Sequence, residues 1–140
     1  MGEVLKFHFD VDGENFSSAG EASVVVKKKL RQLGFSPDIM RRVSIAMYEG
    51  EINMVIHADG GTADVNVYGD KIEIILADKG PGIPNIDLAM QEGYSTAPDN
   101  IRSLGFGAGM GLPNMKRYTD DMKIESEVGK GTTIYMTVLV

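Results

Sequence analysis

The chain has 140 residues, a formal net charge of −6 and no cysteine. This length suits one domain, residues 1–140, with a core of its own. The lack of cysteine excludes disulfides and thiolate metal sites. The acidic balance argues against a nucleic-acid partner, and no apolar run has the length of a leader peptide or a membrane span. The composition therefore predicts a cytoplasmic globular domain.

The first part of the chain predicts a strand followed by a helix. Apolar and polar residues alternate over residues 4–9, which is typical of a strand. A helix is predicted from a cap at Ser17 or Ser18 to about Leu33, and Gly34 is its expected stop.

A second, longer helix is predicted to begin at Ser36-Pro37-Asp38 and to end near Ala58. This start combines a capping side chain with proline at the first helical position. Gly50 inside the helix costs about 1 kcal/mol relative to alanine. The helical repeat predicts a buried face that contains Ile45, Tyr48, Ile52 and Val55.

The rest of the chain predicts two β-hairpins, separated by a long glycine-rich stretch and a further helix. Each hairpin consists of two alternating segments joined by a short turn with glycine. This order of elements predicts an α+β fold in which helices cover one face of a mixed sheet. The predicted elements are strands at 62–68 and 71–77, a short helix around 87–91, a helix at 112–119, and strands at 122–127 and 132–140.

Three polar side chains are spaced four residues apart in the second predicted helix. Glu49, Asn53 and His57 therefore lie along one face of that helix. Glutamate and asparagine oxygens suit Mg²⁺ and its bound waters. The glycine clusters 78–82 and 105–111 follow, and glycines let backbone N–H groups approach phosphate oxygens closely. This combination is suited to a metal–phosphate ligand.

The glycine clusters match neither of two common phosphate-binding motifs. The sequence has no G-x-x-x-x-G-K-[ST] motif, which excludes a P-loop protein. No G-x-G-x-x-G motif lies between a predicted strand and a helix, which argues against a dinucleotide-binding fold. A phosphate site in this chain must be built in another way.

Four short motifs resemble the conserved boxes of the GHKL ATPase superfamily. They are Glu49-x-x-x-Asn53, Asp78-x-Gly80-x-Gly82, Gly105-x-Gly107-x-Gly109-x-Gly111 and Gly129-x-Gly131-Thr132. Within the superfamily, the chain looks most like the bacterial anti-sigma factors and switch-protein serine kinases, and especially the single-domain stress-response switch kinases. The resemblance extends from about residue 36 to the end. It implies a Bergerat-type two-layer sandwich with a mixed, mostly antiparallel sheet and helices on one face.

The resemblance also implies roles in catalysis and phosphate binding. Glu49 would be the general base that orients or deprotonates the attacking group. Asn53 would coordinate Mg²⁺. The glycines of 105–111 would form a mobile lid over the phosphates, and the helix that starts at Gly111 would present its N-terminal amides.

A second set of roles concerns the nucleotide base. By resemblance, Asp78 would accept a hydrogen bond from the amino group of adenine. Gly80 and Gly82 would shape the adenine pocket. Thr132 would support the adenine end of the pocket through water.

The implied function is an ATP- and Mg²⁺-dependent serine/threonine protein kinase that phosphorylates a small antagonist-type protein in a bacterial partner-switching system. One alternative is an anti-sigma factor that acts as a nucleotide-controlled binding module. Another is a histidine-kinase-type ATPase domain, which is disfavoured because no phospho-acceptor helix precedes it. The resemblance leaves open a sigma factor as partner and a homodimer, and it implies no direct contact with nucleic acid or a membrane.

Some nearby side chains have a weaker case for function. Glu51 is expected to be solvated. His57 is more often a helix-end or core histidine than a ligand. Arg102 lies in a stretch, residues 95–104, that looks longer than in similar kinases, and a solvated arginine is expected more often there than a phosphate ligand. Gly131 fits a hairpin as well as a nucleotide site.

Overall fold

The computed structural model describes residues 5–12, 20–58, 60–83, 86, 90 and 111–140. The strands are β1 (Leu5–Asp12), β2 (Gly60–Val67), β3 (Lys71–Asp78), β4 (Asp121–Glu127) and β5 (Gly131–Leu139). The helices are α1 (Glu21–Gln32), α2 (Pro37–Ala58) and α3 (Gly111–Arg117). No helix in these ranges is both long and apolar enough to cross a membrane.

The strands form one sheet in the order β1-β2-β3-β5-β4. Every pairing between the described strands is antiparallel, whereas the sequence predicts a mixed, mostly antiparallel sheet. The predicted hairpins are β2–β3 and β4–β5, and the β3–β5 pairing joins them edge to edge. Because the helices pack on one face of this sheet, the predicted α+β fold class is confirmed.

One face of the sheet forms the core, and we call the other the open face because none of the described helices covers it. Alternate side chains of β3 and β5 are buried, including Ile74, Leu76 and Met136. α2 packs across this buried face and contacts β1, β2, β3 and β5. Because side chains alternate along a strand, Asp78 at the end of β3 lies on the same face as Leu76 and therefore on the helix side.

The capping of α1 differs from the prediction. Gly20, rather than Ser17 or Ser18, occupies the N-cap position, and it provides no side-chain hydrogen bond. The start of α2 agrees with the prediction, because the Oγ of Ser36 accepts the N–H of Ile39 at 3.3 Å. The N-terminus of α1 therefore needs an acceptor from elsewhere in the fold.

Glu51 of α2 provides that acceptor. Its Oε1 accepts the backbone N–H of Ala22 at 3.0 Å, and its Oε2 accepts the N–H of Ser23 at 3.2 Å. The side chain is 1% exposed, so the sequence-based expectation that Glu51 is solvated is wrong. Burial raises the pKa of Glu51, and the two N–H donors act in the opposite direction because they stabilise the ionised form.

Gly50 determines which face of α2 meets the sheet. A methyl group at this position would overlap the side chain of Leu76 on β3, so glycine allows the two elements to approach closely. Met47 and Met54, about one turn away on either side, are buried on the same face. Tyr48, which the helical repeat assigns to the buried face, is instead 41% exposed because the helix is turned toward Gly50.

We predict that Glu51→Ala lowers the free energy of unfolding by about 2 kcal/mol or more, because two buried N–H groups lose their acceptor. Urea unfolding at neutral pH measures this change. Glu49→Ala is the matched control, since it removes the same side chain from the same helix at a half-buried position. Equal destabilisation by the two substitutions would contradict the capping role of Glu51.

Candidate functional site

Asp78, Thr132 and Ser126 form a row across three adjacent strands at one end of the sheet. Asp78 pairs with Thr132 between β3 and β5, and Thr132 pairs with Ser126 between β5 and β4. Each of them is in phase with the core-facing residues of its own strand, so the row lies on the helix side. We call these three residues the strand-end row.

The carboxylate of Asp78 is held by two backbone donors. Its Oδ1 accepts the N–H of Gly80 at 2.9 Å and the N–H of Thr132 at 3.2 Å. The first bond closes the turn after β3, and the second connects β3 to β5. Within the described residues Oδ2 receives no hydrogen bond.

The turn after β3 packs closely against the β4–β5 hairpin, and glycine permits this contact at two positions. Gly82 has φ +81°, and a Cβ there would lie 2.5 Å from the carbonyl oxygen of Glu127. Gly131 has φ +132°, and a Cβ there would overlap the carbonyl of Asp78. Both positions therefore need glycine for their backbone conformation and for the space beside them.

Ser126 connects the strand-end row to the turn after β3. Its Oγ accepts the N–H of Ile83 at 2.7 Å and donates to the carbonyl of Gly131 at 3.2 Å. The same oxygen lies 2.8 Å from Oγ1 of Thr132, which is 7% exposed. The side chain of Ser126 therefore joins three backbone segments around the row.

α3 begins directly beside the polar face of α2. A Cβ at Gly111 would lie 2.8 Å from Nδ2 and 2.9 Å from Oδ1 of Asn53, so the first residue of α3 contacts the Asn53 amide with its bare backbone. The Asn53 side chain is half-buried at this junction. Because Gly111 has no side chain, the amide of Asn53 can lie directly against the start of α3.

Asn114, one turn further along α3, interacts through its side chain with the carboxylate of Glu49. Burial raises the pKa of Glu49, and the Asn114 amide lowers it because its N–H group stabilises the ionised form. Gly111 and Asn114 face Asn53 and Glu49 because residues three or four apart share one side of a helix. The two helices therefore present their polar edges to each other.

The described site residues form two groups on the helix side of the sheet. The group at the ends of β3 and β5 contains Asp78, Gly80, Gly82 and Thr132. The group between α2 and α3 contains Glu49, Asn53 and Gly111. The predicted residues that lie outside the described part of the chain are Arg102, Gly105, Gly107 and Gly109, together with the side chain of His57. Most of the short helix predicted around 87–91 also lies outside it.

Sequence reasoning missed Ser126 and Asn114. The register of the last hairpin places Ser126 opposite Thr132, and counting back across its turn could have found it. Asn114 follows Gly111 by three residues, so helical spacing could have placed both on one face.

Comparison with known proteins assigns the family. Residues 39–140 match the family described as histidine kinase-, DNA gyrase B- and HSP90-like ATPases. The chain belongs to this ATPase family. The matched range includes both groups of site residues, from Glu49 to Thr132.

Curated relatives of this GHKL ATPase lie in the predicted branch of the family. The anti-sigma F factor of Priestia megaterium is 33% identical, over 97% of this chain and 92% of that protein. The serine/threonine-protein kinase RsbT of Bacillus subtilis is 33% identical, over 74% of this chain and 75% of that protein. The predicted resemblance to anti-sigma factors and switch-protein kinases is therefore confirmed.

A solved structure supports the fold of this GHKL ATPase. The crystal structure of the RsbU and RsbW domains of a Mycobacterium tuberculosis protein aligns with a TM-score of 0.65 at 15% identity. The alignment covers 96% of this chain and 32% of that one. At this identity the likeness concerns the arrangement of helices and strands alone.

We predict that Asn114→Ala raises the pKa of Glu49 further, because the side-chain interaction that lowers it is lost while burial remains. A carbon-13 NMR titration of the Glu49 carboxyl measures the change. Asn66→Ala is the matched control, because Asn66 lies half-exposed in β2 on the open face of the sheet. An unchanged or lowered pKa of Glu49 in Asn114→Ala would show that Asn114 does not act on this carboxylate.

Proposed function

We propose that this GHKL ATPase is an ATP-dependent serine/threonine protein kinase that phosphorylates a small antagonist-type protein in a bacterial partner-switching system. The observation that carries the proposal is the half-buried Glu49 carboxylate, which Asn114 contacts and which shares a helix face with Asn53. A carboxylate with a raised pKa in a site is suited to accept a proton from a hydroxyl group. The similarity to the kinase RsbT supports this reaction.

The strand-end row is the proposed adenine site. An ionised carboxylate is a hydrogen-bond acceptor only, so Oδ2 of Asp78 suits the exocyclic amino group of adenine. Gly80 donates its N–H to Asp78, and Gly82 lets the turn beside Asp78 pack against the β4–β5 hairpin. Thr132 donates its N–H to Asp78 and places its own hydroxyl at the same end of the site.

Asn53 is the proposed protein ligand of Mg²⁺. Its amide oxygen is a hard donor, and the side chain lies half-buried beside the start of α3. The described residues contain no cluster of three or more His, Cys, Asp or Glu side chains that could hold a metal ion. Mg²⁺ commonly binds through one or two protein ligands together with phosphates and waters, and asparagine fits that pattern. When bound, the ion would neutralise charge on the phosphates.

The remaining phosphate contacts are assigned to backbone N–H groups. Gly105, Gly107 and Gly109 are proposed to contribute them together with Gly111, which begins α3. Glycine suits this task because its backbone can approach an anion without hindrance from a side chain.

Glu49 is the proposed general base. The hydroxyl oxygen of the partner forms a bond to the γ-phosphorus of ATP while the bond from that phosphorus to the bridging oxygen of ADP breaks. The hydroxyl proton passes to the Glu49 carboxylate and later to solvent. Asn114 partly offsets the effect of burial on the pKa of this carboxylate. The products are the phosphorylated partner and ADP.

An anti-sigma factor that binds its partner under nucleotide control is the second candidate. The similarity to the anti-sigma F factor extends over 97% of this chain, compared with 74% for the kinase RsbT. In this case the bound nucleotide would regulate affinity for a sigma factor, and a homodimer is the proposed binding form. The cytoplasm is the proposed location for both candidates, because ATP and sigma factors act there.

We predict that Glu49→Gln retains ATP binding but slows phosphate transfer to the partner by about 10²–10⁴-fold, the usual contribution of a positioned acid–base group. The amide keeps the shape of the side chain but cannot accept the hydroxyl proton. Single-turnover transfer of the labelled γ-phosphate to a candidate antagonist, chosen from the neighbouring genes, measures the rate.

The matched control for this experiment is Asn53→Ala, one turn along the same helix. It should lose Mg²⁺-dependent ATP binding in a calorimetric titration, whereas Glu49→Gln should not. Wild-type transfer rates in Glu49→Gln would exclude Glu49 as the base. Acid-stable phosphoserine or phosphothreonine is the expected product, and acid-labile phosphohistidine would instead support the histidine-kinase alternative.

A further inference from the structure

The two hydroxyl groups of the strand-end row, on Ser126 and Thr132, have one proton each, which limits the hydrogen bonds that they can donate. The Oγ of Ser126 lies within hydrogen-bond distance of the N–H of Ile83, the carbonyl of Gly131 and the Oγ1 of Thr132, at 2.7, 3.2 and 2.8 Å. A serine hydroxyl has one proton to donate and two lone pairs that accept. The roles of two neighbours are fixed, because a backbone N–H only donates and a carbonyl oxygen only accepts.

Only one arrangement of protons makes all three contacts hydrogen bonds. Ser126 donates its proton to the carbonyl of Gly131 and accepts from the N–H of Ile83. Its remaining lone pair then accepts the proton of Thr132. The Thr132 hydroxyl has no further proton to donate, so toward the end of the sheet it can only accept.

The neighbouring carboxylate of Asp78, like the Thr132 hydroxyl, can only accept hydrogen bonds. Asp78 receives two backbone N–H groups on Oδ1, and ionised carboxylates only accept. Asp78 and Thr132 lie side by side as a paired position of β3 and β5. A ligand that contacts this end of the row therefore meets two acceptors and no side-chain donor from the row.

We propose that Ser126 is a specificity-determining residue, which fixes the Thr132 hydroxyl as an acceptor so that the site selects a base with an amino group over one with a carbonyl group at the same ring position. The proposal rests on the nucleotide-binding function proposed above. Adenine has an amino donor at its six position, whereas hypoxanthine and guanine have an oxygen there. The selection also holds through a bridging water, because a water that donates to both Asp78 and Thr132 has only lone pairs left for the base.

The test compares ADP with IDP, whose hypoxanthine has an oxygen in place of the amino group at position six and a proton on N1, but lacks the extra amino group of guanine. Each nucleotide competes with a fluorescent ADP analogue for the protein. The wild type should prefer ADP by about tenfold or more, because a buried acceptor left facing an oxygen is costly. Ser126→Ala frees the Thr132 proton for donation, so this preference should fall by about two- to tenfold.

Two further variants separate this role from a merely structural one, and a third is a substitute for Ser126→Ala. Ser126→Thr keeps the hydroxyl and should retain the preference for ADP. Thr132→Val removes the hydroxyl that Ser126 polarises, so adding Ser126→Ala to it should leave the ratio of ADP to IDP affinity unchanged. Ser126→Cys, which keeps the volume and has only a weak S–H group, replaces Ser126→Ala if that variant does not fold.

The outcomes distinguish this proposal from the function on which it rests. Nucleotide binding by the wild type with an unchanged affinity ratio in Ser126→Ala, even if both affinities fall, would overturn the role of Ser126 alone. A change in the ratio that persists in the Thr132→Val background would also overturn it. Absence of any ADP or IDP binding by the wild type would overturn the proposed function together with this inference.

Discussion

The close contact between Gly50 of α2 and Leu76 of β3 determines where the side chains next to Gly50, Glu49 and Glu51, point. Successive residues of a helix point about 100° apart, so fixing Gly50 toward the sheet directs its two neighbours to different sides. Glu49 then faces α3, where Asn114 contacts it, and Glu51 faces the N-terminus of α1. One residue without a side chain thus positions a structural carboxylate and a proposed catalytic one.

The different surroundings of these two carboxylates suit them to different roles, one structural and one proposed to be catalytic. Burial raises the pKa of both Glu49 and Glu51. Glu51 is almost fully enclosed and accepts two backbone N–H groups, so its oxygens are committed to capping α1. Glu49 is half-buried, and among the described residues Asn114 is the partner that lowers its pKa, which suits the proton exchange proposed for it. A raised pKa alone would not have distinguished them.

The sequence predicted those parts of the site that depend on local pattern. Asp78 was placed where a strand with period-two alternation ends at a D-x-G-x-G turn, and Glu49 and Asn53 were placed on one helix face because they lie four residues apart, whereas their proposed roles came from the resemblance to the GHKL ATPases. Both inferences need only the geometry of one element.

The parts that were missed depend on how two elements meet. Helical spacing places Glu51 on a face of α2, but it does not reveal that the uncapped end of α1 lies opposite. The same limitation explains the wrong assignment of Tyr48 to the core, because the contact of Gly50 with β3 sets the rotation of the helix. Ser126 acts through its pairing with Thr132, which depends on the register of a hairpin.

The proposed function requires that a nucleotide bind between the strand-end row and the polar face of α2. An NMR titration with Mg²⁺ and a non-hydrolysable ATP analogue, following assigned backbone amides, locates the binding site. We expect the largest shifts at Gly80, Thr132 and Asn53, and little change at Asp64 and Glu73 on the open face of the sheet. Shifts confined to the open face, or no shifts at millimolar analogue, would contradict it.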